Sequence, residues 1–228
     1  MNMEQNTQME QNTQAVPHAT ETAAPGCGCA PDVQPDQMTA LYRRILWTVL
    51  AINITMFGVE IVAGMIAKSV SLQADALDFF GDSMTYAITL MVLGLSIRWR
   101  AGAALFKGLS MGVFGFWVVG YTIWTALNPT TPGAGIMGGV ALAALVANVT
   151  SAALLYKYRA GDSNMRSVWL CSRNDAIANL AVLAAAFGVW GTNTGWPDLA
   201  VGFAIAALNL HSAGQVIRHA AADWRTAH

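Results

Sequence analysis

Two pairs of metal-ligand residue types stand at helical spacing inside apolar sequence. Asp78 and Asp82 are four residues apart, and so are Cys171 and Asp175. Side chains at i and i+4 of an α-helix share a face. Each pair therefore presents two donors in one direction, and Asp75, three residues before Asp78, lies on the same face. Three carboxylates and a sulfur make a four-donor set that suits a tetrahedral divalent cation. A blander reading stands beside this one. A lone carboxyl in a membrane helix can pack in its protonated form, and a lone cysteine there is usually a small hydrophobe. Recurrence of the spacing in two separate runs favours function, because each intramembrane charge costs about 2.5–3.5 kcal/mol on insertion scales.

The elements that must carry these pairs are transmembrane helices. Of 228 residues, 55% are hydrophobic and 11% charged, against roughly 25% charged in a soluble domain. The apolar residues fall in six runs, 45–67, 72–97, 108–127, 136–156, 168–190 and 199–217. Each is long enough for the ~20 helical residues that span a bilayer. The expected fold is an all-α membrane protein of six transmembrane helices. Its transport domain covers 41–217, followed by a short C-terminal tail, 218–228, with no further folded domain. Residues 1–40 contain the hexamer MEQNTQ twice and no Lys or Arg. They read as a disordered tail without the apolar core of a signal peptide.

Basic residues set the orientation. Arg43, Arg44, Arg98, Arg100, Lys107, Lys157, Arg159, Arg166, Arg218 and Arg225 flank the spans on one side, Lys68 alone on the other. Both termini are therefore expected in the cytoplasm. Trp99, Trp190 and Trp196 are expected at the interfaces. At ~1.5 Å per residue, Asp82 lies ~15 Å from one face and Asp175 ~10 Å from the other, so the two pairs can meet near the midplane. Arg173 lies about 200° round the helix from both Cys171 and Asp175 and is expected to point away. The net charge of −1 gives no basic field for nucleic acid.

The strings Ser69-Val70-Ser71-Leu72-Gln73-Ala74-Asp75-Ala76-Leu77-Asp78-Phe79-Phe80-Gly81-Asp82-Ser83 and Cys171-Ser172-Arg173-Asn174-Asp175-Ala176-Ile177-Ala178-Asn179 resemble helices 2 and 5 of the cation diffusion facilitator family. The resemblance runs from about Leu41 to Ile217. It implies an exporter of divalent metals, usually in exchange for protons, with the metal held by Asp78, Asp82, Cys171 and Asp175. Asp75 falls outside that quartet. Cys171 stands where the family usually has His or Asp. The cytoplasmic domain that usually follows helix 6 is not expected here.

Anionic ligands around a divalent cation cannot coexist in a low-dielectric site once the metal leaves. Protons then take its place, and metal displaces them again. If the two loaded forms open to opposite sides, the result is metal–proton antiport, with protons as counter-ion and no permanent cofactor. The thiolate favours zinc or cadmium over manganese and magnesium. The expectation is therefore a transporter rather than an enzyme, with no catalytic residue assigned, seated in the lipid bilayer of a bacterial inner membrane. A metal-binding accessory protein and an importer of the same architecture are the alternatives.

Asn53, Glu60, Asp75, Asn148, Asn174 and Asn179 are expected behind the ligands, lining the path or bonding neighbouring helices. Cys27 and Cys29 could capture soft metal in the tail. Gly108-x3-Gly112 offers either a homodimer seam or tight packing within one subunit. His211 reads as interfacial, and His219 and Asp223 as solvated.

Overall fold

The computed structural model describes residues 40–92, 97–158 and 163–226. Cys27, Cys29 and Arg159 lie outside the described residues. Six α-helices follow in order: α1 Ala40–Ala67, α2 Val70–Val92, α3 Ile97–Leu127, α4 Ala134–Leu155, α5 Ser163–Thr192 and α6 Trp196–Thr226. Among the described residues there is no strand. Most helices extend past the expected apolar runs, because polar residues at their ends are helical too. Ile97 opens α3 rather than closing the second span. Arg98 and Lys107, expected in a connection, both lie on α3, and α6 carries His219 and Asp223 on to Thr226.

Five of the six helices are long and apolar enough to cross a membrane by themselves. The exception is α2, the helix with three aspartates. Every residue from Ser69 to Leu77 is buried, so its neighbours, rather than its own hydropathy, keep it in place. Helices α1, α2, α4 and α5 form a ring, each packed on the next, and α3 pairs with α6 against α2. Large apolar side chains such as Ile66, Phe116, Trp124 and Leu127 point outward, at 55% exposure or more. Glu60 and Asp75 point inward at 0%. Apolar outside and polar inside is the arrangement for lipid surroundings, and the chain is an integral multi-pass membrane protein. Trp99, Trp190 and Trp196 are all exposed.

One end of the bundle is interlocked. Helix α1 stops because Lys68 adopts the left-handed conformation, φ 53°. Ser69 N–H then donates to Gly64 O at 2.9 Å, closing the turn. Gly133 N–H donates to Ala67 O at 2.9 Å, and Thr131 Oγ1 donates to Asn193 O at 3.3 Å. The three loops α1–α2, α3–α4 and α5–α6 therefore sit together, as six antiparallel helices require. At Gly195 a Cβ would stand 2.6 Å from Thr130 O, so the loops close this tightly only over glycine.

Asp198 fastens this end to α2. Its carboxylate, 0% exposed, accepts from Ser69 Oγ at 2.7 Å, Val70 N at 2.7 Å, Ser71 N at 3.0 Å and Ser71 Oγ at 2.5 Å. A residue of α6 thus caps α2, satisfying backbone donors that the first turn leaves free. Beside it, a Cβ at Gly202 would meet Val70 Cγ1 at 2.6 Å and Ser71 N at 2.8 Å. Gly108 is likewise closed within the subunit, 2.7 Å from Ile217 Cγ1, whereas Gly112 faces open space.

Asp198→Ala should therefore destabilise the detergent-solubilised protein by ~3 kcal/mol, since several charge-assisted bonds are lost and buried donors are left unmet. Gly202→Ala should also destabilise, by forcing α2 and α6 apart. Gly139→Ala, where nothing lies within 4 Å, should not. Thermal unfolding of the three variants checks this. Equal melting temperatures would remove Asp198 as the clamp.

Candidate metal centre

The acidic face of α2 opens onto a cavity of about 240 Å³ between α2, α3, α5 and α6. Asp78, Gly81 and Asp82 line it from α2, and Asn174, Asp175 and Ala178 from α5. From α6 come Ile205, Leu208, Asn209, His211 and Ser212, and from α3 come Lys107 and Met111. The i,i+4 spacing read from sequence places Asp78 and Asp82 on the same wall. Asp175 arrives from the facing helix: its carboxyl and that of Asp82 are within hydrogen-bonding reach of each other. Both are 7% exposed.

Asp82 is held in place. Tyr86 Oη donates to its Oδ2 at 2.6 Å, and the same hydroxyl stands 3.3 Å from Ser172 Oγ on α5. A Tyr86 hydroxyl shared this way ties the α2 pair to the α5 pair. Asn209 of α6 lies beside Asp78, and its amide donates to Ala74 O at 3.4 Å. Lys107 is 4% exposed, donates to Thr85 Oγ1 and is within electrostatic reach of Asp82.

Cys171 is buried at 3% exposure, one turn before Asp175. Among the described residues, no three His, Cys, Asp or Glu side chains close around a single point as a finished coordination shell would. The cavity gathers Asp78, Asp82 and Asp175 along its walls. Drawing them onto one ion requires side-chain rotation or a small helix shift.

The other polar residues divide. Asn174 lines the cavity. Glu60 and Asp75 form a separate pair between α1 and α2, both 0% exposed and within hydrogen-bonding reach of each other. Among the described residues, none of their four oxygens has a well-directed hydrogen-bond partner. Asn53, Asn148 and Asn179 are buried at 1%, 1% and 0%; Asn53 Nδ2 donates to Val49 O at 2.8 Å. None of the three lines the cavity. Arg173 points outward, exposed, with its guanidinium 5.5 Å from the Trp169 ring centre.

Lys107, Asn209 and His211 on the cavity wall, and Tyr86 bonded to Asp82 beside it, are polar residues that sequence reasoning did not assign to the site. A signal existed for Tyr86, which continues the Asp78, Asp82 spacing by one more turn. For Lys107 the signal was masked by its place next to an apparent loop, and for His211 by an underestimate of the length of α6.

The sequence matches the cation efflux transmembrane domain over residues 46–223. It is similar to the metal cation efflux system protein CzcD of Cupriavidus metallidurans, 25% identical over 175 residues, covering 70% of this chain and 54% of that protein. The cation efflux system protein CzcD of an Alcaligenes species matches with the same identity and coverage. The chain spans about half the length of the curated relatives it matches.

A water-accessible cavity makes a labelling expectation. With all three native cysteines replaced by Ser, Ser212→Cys should react with a small charged methanethiosulfonate reagent. Ala206→Cys, at a fully packed position, should not. Equal protection of both would mean that the cavity is closed to water from either side.

Proposed function

The chain belongs to the cation efflux family, and we propose on that premise that it exports divalent heavy-metal cations, zinc or cadmium, in exchange for protons. The observation that carries the reading is the convergence of Asp78, Asp82 and Asp175 on one cavity between α2 and α5. In this reading both termini face the cytoplasm and the interlocked loops face outward. The efflux names of the relatives support the direction.

The cavity residues supply the steps. Asp82 and Asp175 face each other, and two adjacent carboxylates away from bulk water repel unless a cation or proton lies between them. A divalent metal neutralises both at once and displaces the protons held there. Tyr86 keeps one oxygen of Asp82 fixed, so Asp175 and Asp78 have the freedom to close on the ion. Reduced Cys171 adds a soft donor from the same face as Asp175, biasing the site toward zinc and cadmium. Returning protons then release the metal on the far side. The α3–α6 pair and the four-helix ring are the two bodies whose relative tilt opens the cavity to alternate sides.

Metal flux into proteoliposomes under a pH gradient tests this. Asp78→Ala, Asp82→Ala and Asp175→Ala should each lower cadmium flux by more than ~10-fold with normal insertion, the loss expected when a ligand of a metal site is removed. Wild-type flux in any two of them would overturn the reading.

Cys171 makes a separate expectation. Cys171→Asp should shift preference toward manganese, Cys171→His should keep zinc and weaken cadmium, and Cys171→Ser should weaken all three. Competition between cadmium, zinc and manganese reads this out. Unchanged selectivity in all three variants would leave a three-carboxylate site completed by water or Asn.

A further inference from the structure

We infer that Lys107 is a tethered counter-cation of the carboxylate cavity, a positioning residue that competes with the substrate metal for the same negative field and so promotes its release. The inference rests on the metal-transport reading of that cavity and adds to it a residue that no ligand motif contains.

The backbone puts Lys107 there. Helix α3 approaches α2 most closely at Gly81, where a Cβ would stand 2.9 Å from Met111 Cε. Lys107 lies one turn before Met111, and Thr85 one turn after Gly81, so the two antiparallel helices bring Lys107 opposite Thr85. The Lys107 ammonium donates to the Thr85 hydroxyl. Thr85 Oγ1 in turn donates to Gly81 O at 2.9 Å, which leaves its lone pairs for the ammonium. On the other side of α3, a Cβ at Gly108 would stand 2.7 Å from Ile217 Cγ1, so α6 closes in behind. The side chain is held at 4% exposure on the cavity wall, with Asp78, Asp82 and Asp175 on the facing walls.

A buried ammonium in a membrane protein is costly unless anions face it. Here the anions are the proposed metal ligands. Without metal, Lys107 offsets one of the negative charges and keeps the cavity from collapsing or repelling itself open. With metal bound, a divalent ion shares a small cavity with a fixed positive charge. That repulsion weakens binding and lowers the barrier to release, which an exporter needs in order to turn over. A simple strut between α3 and α2 would instead support the site, and its loss would weaken binding.

The two roles have opposite signs, which makes the test decisive. Cadmium binding is measured by calorimetry on the reduced, full-length protein in nanodiscs at mildly alkaline pH, where protons compete least. Lys107→Met should bind cadmium on the order of tenfold more tightly than wild type, the effect of removing one nearby like charge in a partly screened site. Its cadmium turnover in proteoliposomes should fall. Lys107→Arg, which keeps the charge, should stay close to wild type in both. Lys107→Gln keeps a donor for Thr85 without the charge and should show the same tightening, so the test survives if the Met variant fails to fold. Unchanged or weaker binding in a folded Lys107→Gln would overturn the inference and leave Lys107 as a strut. Absence of cadmium binding by the wild type would instead overturn the transport reading, and this inference with it.

Discussion

A carboxylate withdrawn from water must find a cation, a proton or several hydrogen-bond donors. This fold holds Glu60, Asp75, Asp82, Asp175 and Asp198 at no more than 7% exposure, and it answers that demand in three ways. Asp198 is satisfied entirely by donors, from the start of α2 and the serines around it. Glu60 and Asp75 lie side by side, with no well-directed donor to either among the described residues. Asp82 and Asp175 face a cavity, with Tyr86 and Lys107 alongside. The first arrangement clamps α2, the second buries two carboxyls side by side, and the third leaves an open space beside the carboxyls.

The placement of α2 follows from the same constraint. It carries too many carboxylates to lie against lipid, so it runs through the middle of the bundle, in contact with α1, α3, α5 and α6. Glycines permit this crowding: Gly64 against Gln73 and Leu72, Gly81 against Met111, and Gly202 against Val70. The outer helices then need only be apolar on their outward faces, and they are. One end of α2 is clamped by Asp198 and by the interlocked loops. Toward the other, the Tyr86 hydroxyl stands beside Ser172 of α5, the Lys107 ammonium of α3 donates to Thr85, and Tyr86 and Leu90 pack into a buried cluster with Leu46 and Val49 of α1.

Much of this was legible in the residue order. The six apolar runs became six helices, because a bilayer-length run of hydrophobic residues has few other stable forms. The i,i+4 spacing of Asp78 and Asp82 placed both on one wall, and Arg173 turned away as its angle required. What stayed hidden depended on where helices end and on contacts between distant segments. Lys107 read as a loop residue because charged Arg98 and Arg100 precede it, yet α3 already begins at Ile97. Asp198 lies just before the apolar run 199–217 and drew no assignment, because nothing local shows that Ser69 and Ser71 are its partners. His211 read as interfacial because α6 was expected to end sooner than Thr226. Burial of Cys171 followed from its neighbours.

The account stands or falls on where the metal sits, and X-ray absorption at the cadmium edge measures that directly. The reduced protein, loaded with one cadmium per chain, should show an oxygen-rich first shell with a single sulfur. The sulfur should vanish in Cys171→Ser, and the ordered shell should be lost when Asp82 and Asp175 are both replaced by Ala. A shell of nitrogen or water alone, or a spectrum indifferent to those replacements, would place the ion outside the α2–α5 cavity and contradict the account.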